Sequence, residues 1–172
     1  MILTPEYVLG MARYNGWQNS QLKACMAELD DKALRKNRKA FFGSILGTAN
    51  HLLLGDQLWL SRLADFAAPQ VGADAGVSLC EDAAAWEIER FRTDSALLAW
   101  AEKIGAIDLA GQTSWHSAIV GQDFTRPTAQ CVMHMFNHQT HHRGQIHAML
   151  TAAGVKAPVS DYIFMPQEGP WL

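Results

Sequence analysis

The sequence predicts an all-α protein, a four-helix bundle, and three observations carry that reading. Long stretches repeat apolar residues at a helical period, breaker-rich segments separate them, and helix-start signals stand where several of them open. At 172 residues the chain is long enough for one domain with a sizeable core, and no interior linker divides residues 1–172 into two.

The first helix opens at Thr4-Pro5, a cap residue followed by proline in the first turn. It carries Tyr7, Val8, Met11, Tyr14, Leu22 and Cys25 as apolar material and fades near Asp30 and Asp31. A second is expected over about residues 37–65, with Phe41, Phe42, Ile45, Leu46, Leu52, Leu53, Trp59, Leu60 and Leu63. Gly43, Gly47 and Gly55 weaken it as an isolated helix and suggest close approach by a neighbour. Residues 67–76 form a breaker-rich connection. Ser78, with Glu81 three residues on, reads as the capping box of a third helix that ends near Gly105. Residues 106–126 alternate β-prone pieces with Gly111 and Gly121, as in a small hairpin or irregular crossover. Pro127 starts the fourth helix, which ends before Gly154 and spans roughly 40 Å at 1.5 Å per residue. Residues 155–172, with aromatics and three prolines, are expected as extended chain over one end of the bundle. Four such helices in one domain need at least one long crossover.

Hydrophobic residues make up 49% and charged residues 18%, the balance of a globular protein. A net charge of −3 gives no general attraction to nucleic acid, so none is expected as a partner. No apolar stretch reaches the roughly 20 residues of a membrane span, and the first residues lack the pattern of a signal peptide. Three widely spaced cysteines, Cys25, Cys80 and Cys131, argue against a disulfide framework and point to the cytoplasm. The basic run Lys32, Arg35, Lys36, Arg38 and Lys39 reads as solvated surface, and the six tryptophans read as core. Trp115-His116 could line a pocket mouth.

The chemistry concentrates in Asn137-His138-Gln139-Thr140-His141-His142-Arg143-Gly144-Gln145. On a helix His138 and His142 fall on one face, one turn apart, ready to share a metal ion. Two ligands rarely suffice, and His51, followed by an apolar helical run, is the obvious third. His141, three residues after His138, is a permitted alternative. His134 lies a turn outside the pair, and Cys131 is too far along the helix to join the same metal. A zincin helix has the same spacing but needs Glu after its first histidine as general base. Gln139 stands there, so a metalloprotease reading fails. Asn15, Asp56, Asn137, His141, Arg143 and Gln145 are candidates to orient the imidazoles. Asp56 lies roughly 140° around its helix from His51, a better place for an ion pair, with Arg143 as a candidate partner, than for a ligand.

Together these segments resemble the DinB-like proteins, whose relatives include YfiT-type hydrolases and bacillithiol transferases. The resemblance spans nearly the whole chain. It rests on Tyr14-Asn15-Gly16-Trp17, on His51 with Asp56-Gln57-Leu58-Trp59-Leu60, on residues 137–146, and on Asp161-Tyr162-Ile163 in the tail. It implies an up-down-down-up four-helix bundle with Zn²⁺ or Ni²⁺ held by His51, His138 and His142, and His141 outside the ligand set. Related sequences often carry Glu where this chain has Gln139, a departure that bears on hydrolysis more than on metal binding.

Three imidazoles leave such a metal an open position for water or substrate. The resemblance implies metal-dependent thiol S-transfer or hydrolysis on a small electrophilic substrate, with a low-molecular-weight thiol as co-substrate. Two other readings stand beside it: a non-catalytic metal or small-ligand binder in stress response, and a scaffold acting through self-association. A homodimer is expected because helical bundles often pair through an apolar helix face.

Overall fold

Thr4 caps the first helix, α1 (Pro5–Met26), its hydroxyl accepting from the Tyr7 amide at 3.3 Å. This computed structural model describes residues 3–71, 73–118 and 120–172, with residues 73–75 described by their backbone. Met1 and Ile2 of the N-terminal reading, Gly72 of the breaker-rich connection and Ile119 of the irregular segment lie outside the described residues. A short α2 (Asp31–Arg35) follows, capped by Asp30. Then come α3 (Ile45–Leu63), α4 (Ala83–Ala101), a short α5 (Ala106–Ala110), strands β1 (Gln112–Ser117) and β2 (Gln122–Pro127), and α6 (Thr128–Ala152). The chain is therefore mostly helical, with one two-stranded antiparallel hairpin.

Two helix starts and the path of the tail differ from the sequence reading. The second long helix starts at Ile45 because Lys39 and Gly43 take positive φ, of 60° and 75°, and Ser44 then caps Gly47. The third starts after Asp82, whose carboxylate accepts from the Ala85 amide at 2.8 Å. Ser78-Glu81 is not its capping box. Ser78 ends a 3₁₀ turn (Ala73–Ser78), and the buried Asn50 amide ties down the backbone on either side of it at Val77 and Cys80. The tail does not cover one end. It runs along α1, where Gln18 donates to the Val159 carbonyl, Tyr14 to that of Ser160, and Arg13 stacks on Trp171. These α1 donors satisfy carbonyls that extended chain would otherwise leave bare.

The long helices pack in the cyclic order α1, α4, α3, α6. Two apolar clusters lie along the helix axes. One gathers Leu22, Met26, Ile45, Leu53, Trp86, Ile146 and Leu150. The other gathers Val8, Leu60, Leu97, Val132, Met135 and Phe136. Between them every long helix contributes buried polar residues: Asn15 and Asn19, Asp56 and Gln57, Arg90 and Asp94, and Gln139. Arg90 bridges Asp56 at 2.7 Å and Asp94 at 2.8 Å. Asn15 and Asn19 donate to Asp94, and Gln139 donates to Asp56. Burial, opposed by Arg90, pushes Asp94 up to about 6. Deleting one partner would strand a buried charge, which typically costs about 3–5 kcal/mol.

Of the six tryptophans Trp86 is fully buried, donating to the Ala49 carbonyl, and Trp59 and Trp100, half-buried, pack against the second apolar cluster as the core reading expects; Trp17, Trp115 and Trp171 are half-buried. The basic run is surface, as expected: Arg35 pairs with Asp31 at 2.8 Å in the open.

Candidate metal centre

Helices α3 and α6 pack against each other and bring one face of each together. His51 comes from the second turn of α3, and His138 and His142 from successive turns of α6. One nitrogen from each ring lies within 4.8 Å of the other two. His51 Nε2 and His138 Nε2 are 3.0 Å apart. Two bonds of about 2.0–2.1 Å to a common ion would hold their nitrogens roughly 3.0–3.4 Å apart, so this pair has the bite of a chelating set. The three imidazoles could hold a metal ion between them. Burial, then the rings of His138 and His142, pushes His51 down to about 4. Burial and His142 likewise push His138 down to about 4, against the pull of Asp56. Burial lowers His142 too, although its hydrogen bond to Gln145 works the other way. At neutral pH all three rings are therefore neutral, the form a metal needs.

The surroundings fix the rings. Gln145 Oε1 accepts from His142 Nδ1 at 2.9 Å, which leaves Nε2 free as a ligand atom. The same amide turns its Nε2 toward His141 Nε2 at 3.2 Å. His141 is thus an exposed partner of Gln145 and stands outside the converging set. Phe42, from the turn before α3, stacks on His51 with centroids 3.7 Å apart. Gly55 lies one turn after His51, and its missing side chain makes room for the His138 ring.

The other candidates fall elsewhere. Asp56 pairs with Arg90 and Gln139 rather than with Arg143. Arg143 donates instead to Asn15. The pairing changes because Asp56 faces α4, where Arg90 already supplies a buried cation. Asn15 and Arg143 therefore belong to the buried polar layer, and among the described contacts neither bonds an imidazole of the triad. Asn137 is exposed on α6. His134 sits 5.9 Å from the His138 ring and packs on Trp59, and Cys131 is buried outside the set. His147 lines a separate cavity of about 200 Å³ between α1, α6 and the tail. Phe42 and Gly55 are not among the sequence candidates. Gly55, four residues after His51, carries the legible signal, a small residue facing a partner helix.

The sequence model of the DinB family matches residues 4–170. The chain belongs to the DinB family. Protein DinB of Bacillus subtilis (strain 168) is 25% identical over 162 residues, covering 91% of this chain and 92% of that protein. A crystal structure of a DinB-like protein from Bacillus cereus ATCC 10987 superposes with a TM-score of 0.69 at 19% identity, over 92% of this chain and 99% of that one. The second likeness speaks for the fold of this DinB-family chain. Its site stands on the geometry above.

Proposed function

We propose that this DinB-family protein binds one Zn²⁺ or Ni²⁺ through His51, His138 and His142 and uses it as an enzyme of the thiol S-transferase or hydrolase type on a small electrophile. The observation that carries the reading is the convergence of three neutral imidazoles from two helices, with Gln145 holding His142 in the ligand tautomer. Bound there, such an ion supplies Lewis acidity at the positions the protein leaves open. The chain's own part is to orient the rings, through Gln145 and Phe42, and to keep them unprotonated by burial. Gln139 is turned into the buried layer against Asp56, so no side chain at that position serves as general base. That favours thiol transfer, whose nucleophile needs no such base once held as thiolate, over hydrolysis.

The proposal includes an up-down-down-up bundle forming one domain. Its support is the order in which α1 and α6, and in the opposite sense α3 and α4, pass the two apolar clusters. Residues 64–82 then form the long crossover between α3 and α4. No helix among the described residues is long and apolar enough to cross a membrane, and the three cysteines are free, which supports a cytoplasmic setting. A homodimer is supported by Ile88 and Phe91, exposed together on α4.

The test is metal content of untagged wild type beside His51→Ala and His142→Ala, with circular dichroism as the fold control. One equivalent in wild type and loss in both variants supports the centre. Retention in either removes it. Turnover of a low-molecular-weight thiol with a model electrophile by the loaded wild type, absent in the variants, supports the enzyme reading against a non-catalytic binder.

A further inference from the structure

Beyond the triad, the same faces of α3 and α6 carry a set of rings around one guanidinium. Residues 51, 55, 59 and 62 recur at three- and four-residue steps, so they share a face of α3. Residues 142, 138 and 134 do the same on α6. The rings form a continuous wall: His134 is 5.9 Å from His138, Trp59 is 5.3 Å from His134, and Trp115 of β1 is 5.4 Å from Trp59, centroid to centroid. Phe124 of β2 backs Trp115 in a stacked pair at 5.5 Å and so closes the far end of that wall.

Arg62 sits among these rings, 4.7 Å over Trp59 and 5.3 Å over Trp115. Among the described residues no carboxylate lies within ion-pair distance of it. The side chain is half-buried, so it has given up part of its water without gaining a counter-charge. Indole faces compensate a guanidinium only partly, and they engage its planes, leaving the N–H edge for a planar anion. Residues 51 and 62 are about 16 Å apart along the helix, and a helical side chain leans toward the N-terminus, here the His51 side. The lean over Trp59 brings the cation roughly a turn closer to the triad, within the span of a small organic molecule.

We propose that Arg62, Trp59 and Trp115 form the substrate's anion subsite, so that this protein selects a planar, carboxylate-bearing electrophile. The carboxylate lies on the N–H edge of Arg62, the conjugated part of the molecule lies beside the indoles, and the reacting atom points toward His138. The proposal rests on the reading of the triad as a reaction centre. The bland alternative is that Arg62 only staples Trp115 to Trp59.

Calorimetric titration with 2-naphthoate and its uncharged analogue 2-naphthamide separates the two, with metal content measured on every sample. Wild type is expected to prefer the acid by tenfold or more. Arg62→Gln should erase that preference while leaving amide affinity and metal content unchanged, and Trp115→Ala should weaken both ligands. If Arg62→Gln does not fold, Arg62→Lys carries the test, with the preference falling severalfold. Equal affinity for acid and amide, no binding of either, or a preference that survives in the Arg62 variants overturns the subsite. An Arg62-dependent preference in protein whose triad holds no metal would instead sink the reaction-centre reading and leave the anion site standing.

Discussion

Gly55 and His138 are in contact across α3 and α6: a Cβ added to Gly55 would lie 3.0 Å from His138 Cε1 and 3.4 Å from Nδ1. The glycine is thus a space for an imidazole, and this gives it opposite effects on stability and on the site. Gly55→Ala should raise intrinsic helix stability by about 1 kcal/mol while displacing the ring by a few tenths of an ångström. The expected outcome is a metal-free protein as stable as wild type or more so, whose metal affinity is lower by about tenfold, with Gly55→Val worse. Competitive titration against a chromophoric chelator measures the affinity. Unchanged affinity in both variants would show that the close contact does not position His138.

Gln145 acts on His142 without being a candidate ligand. Its Oε1 accepts from Nδ1 at 2.9 Å, and its amide is held in that orientation by His141. Gln145→Leu should reduce metal affinity by roughly 10–100-fold, the usual range for removing a partner that orients a ligand. His141→Ala should act in the same direction more weakly, because it frees the amide without deleting it. A His141→Ala loss as large as that of His142→Ala would make His141 a ligand.

The lowered pKa values of His51 and His138 set the acid behaviour of the metal-free protein. Both fall from an ordinary 6.5 to about 4 in the fold. The unfolded chain therefore binds protons first as pH drops, and stability linked to these rings is full above about pH 6.5 and lost progressively toward about pH 4. Asp94, raised to about 6, slopes the other way across part of this window. The comparison to make is therefore wild type against His51→Leu, by urea denaturation between pH 7.5 and 4 without metal. The variant's stability should fall less on acidification. A parallel decline would show that His51 carries no such linkage.

The histidine pair is legible in the sequence because four-residue spacing on a helix is a local property, fixed by 3.6 residues per turn. His51 is legible only as a partner required by coordination chemistry, and it lies 87 residues from His138. The four long helices are visible in apolar periodicity, yet the starts of two of them are not. Asn50 satisfies the backbone around Ser78 from another helix, and no local pattern reports that. Asp56 reads as an ion-pair member but with the wrong partner, since the choice between Arg90 and Arg143 depends on how α3, α4 and α6 rotate against one another. Arg62 leaves no mark in the sequence because what distinguishes it is spatial: among the described residues no carboxylate pairs with it.

Gln139 stands where the resemblance leads one to expect Glu, and the buried layer explains what a glutamate would meet. Gln139 Nε2 donates to Asp56 Oδ1 at 2.5 Å, while Asp56 also holds Arg90. Gln139→Glu would replace that donor with a second carboxylate beside one already buried, and like charges at this separation drive one of them to take up a proton. The variant should lose about 1–3 kcal/mol of stability at pH 7, the penalty of a buried acceptor that has lost its donor. Part of that loss should return toward pH 5, because protonation restores an O–H donor between the two groups. Its metal content should match wild type, since position 139 touches Asp56 and not the imidazoles. Urea denaturation at both pH values, with metal analysis, checks each point. A variant as stable as wild type at pH 7 would mean that the layer accommodates the extra charge.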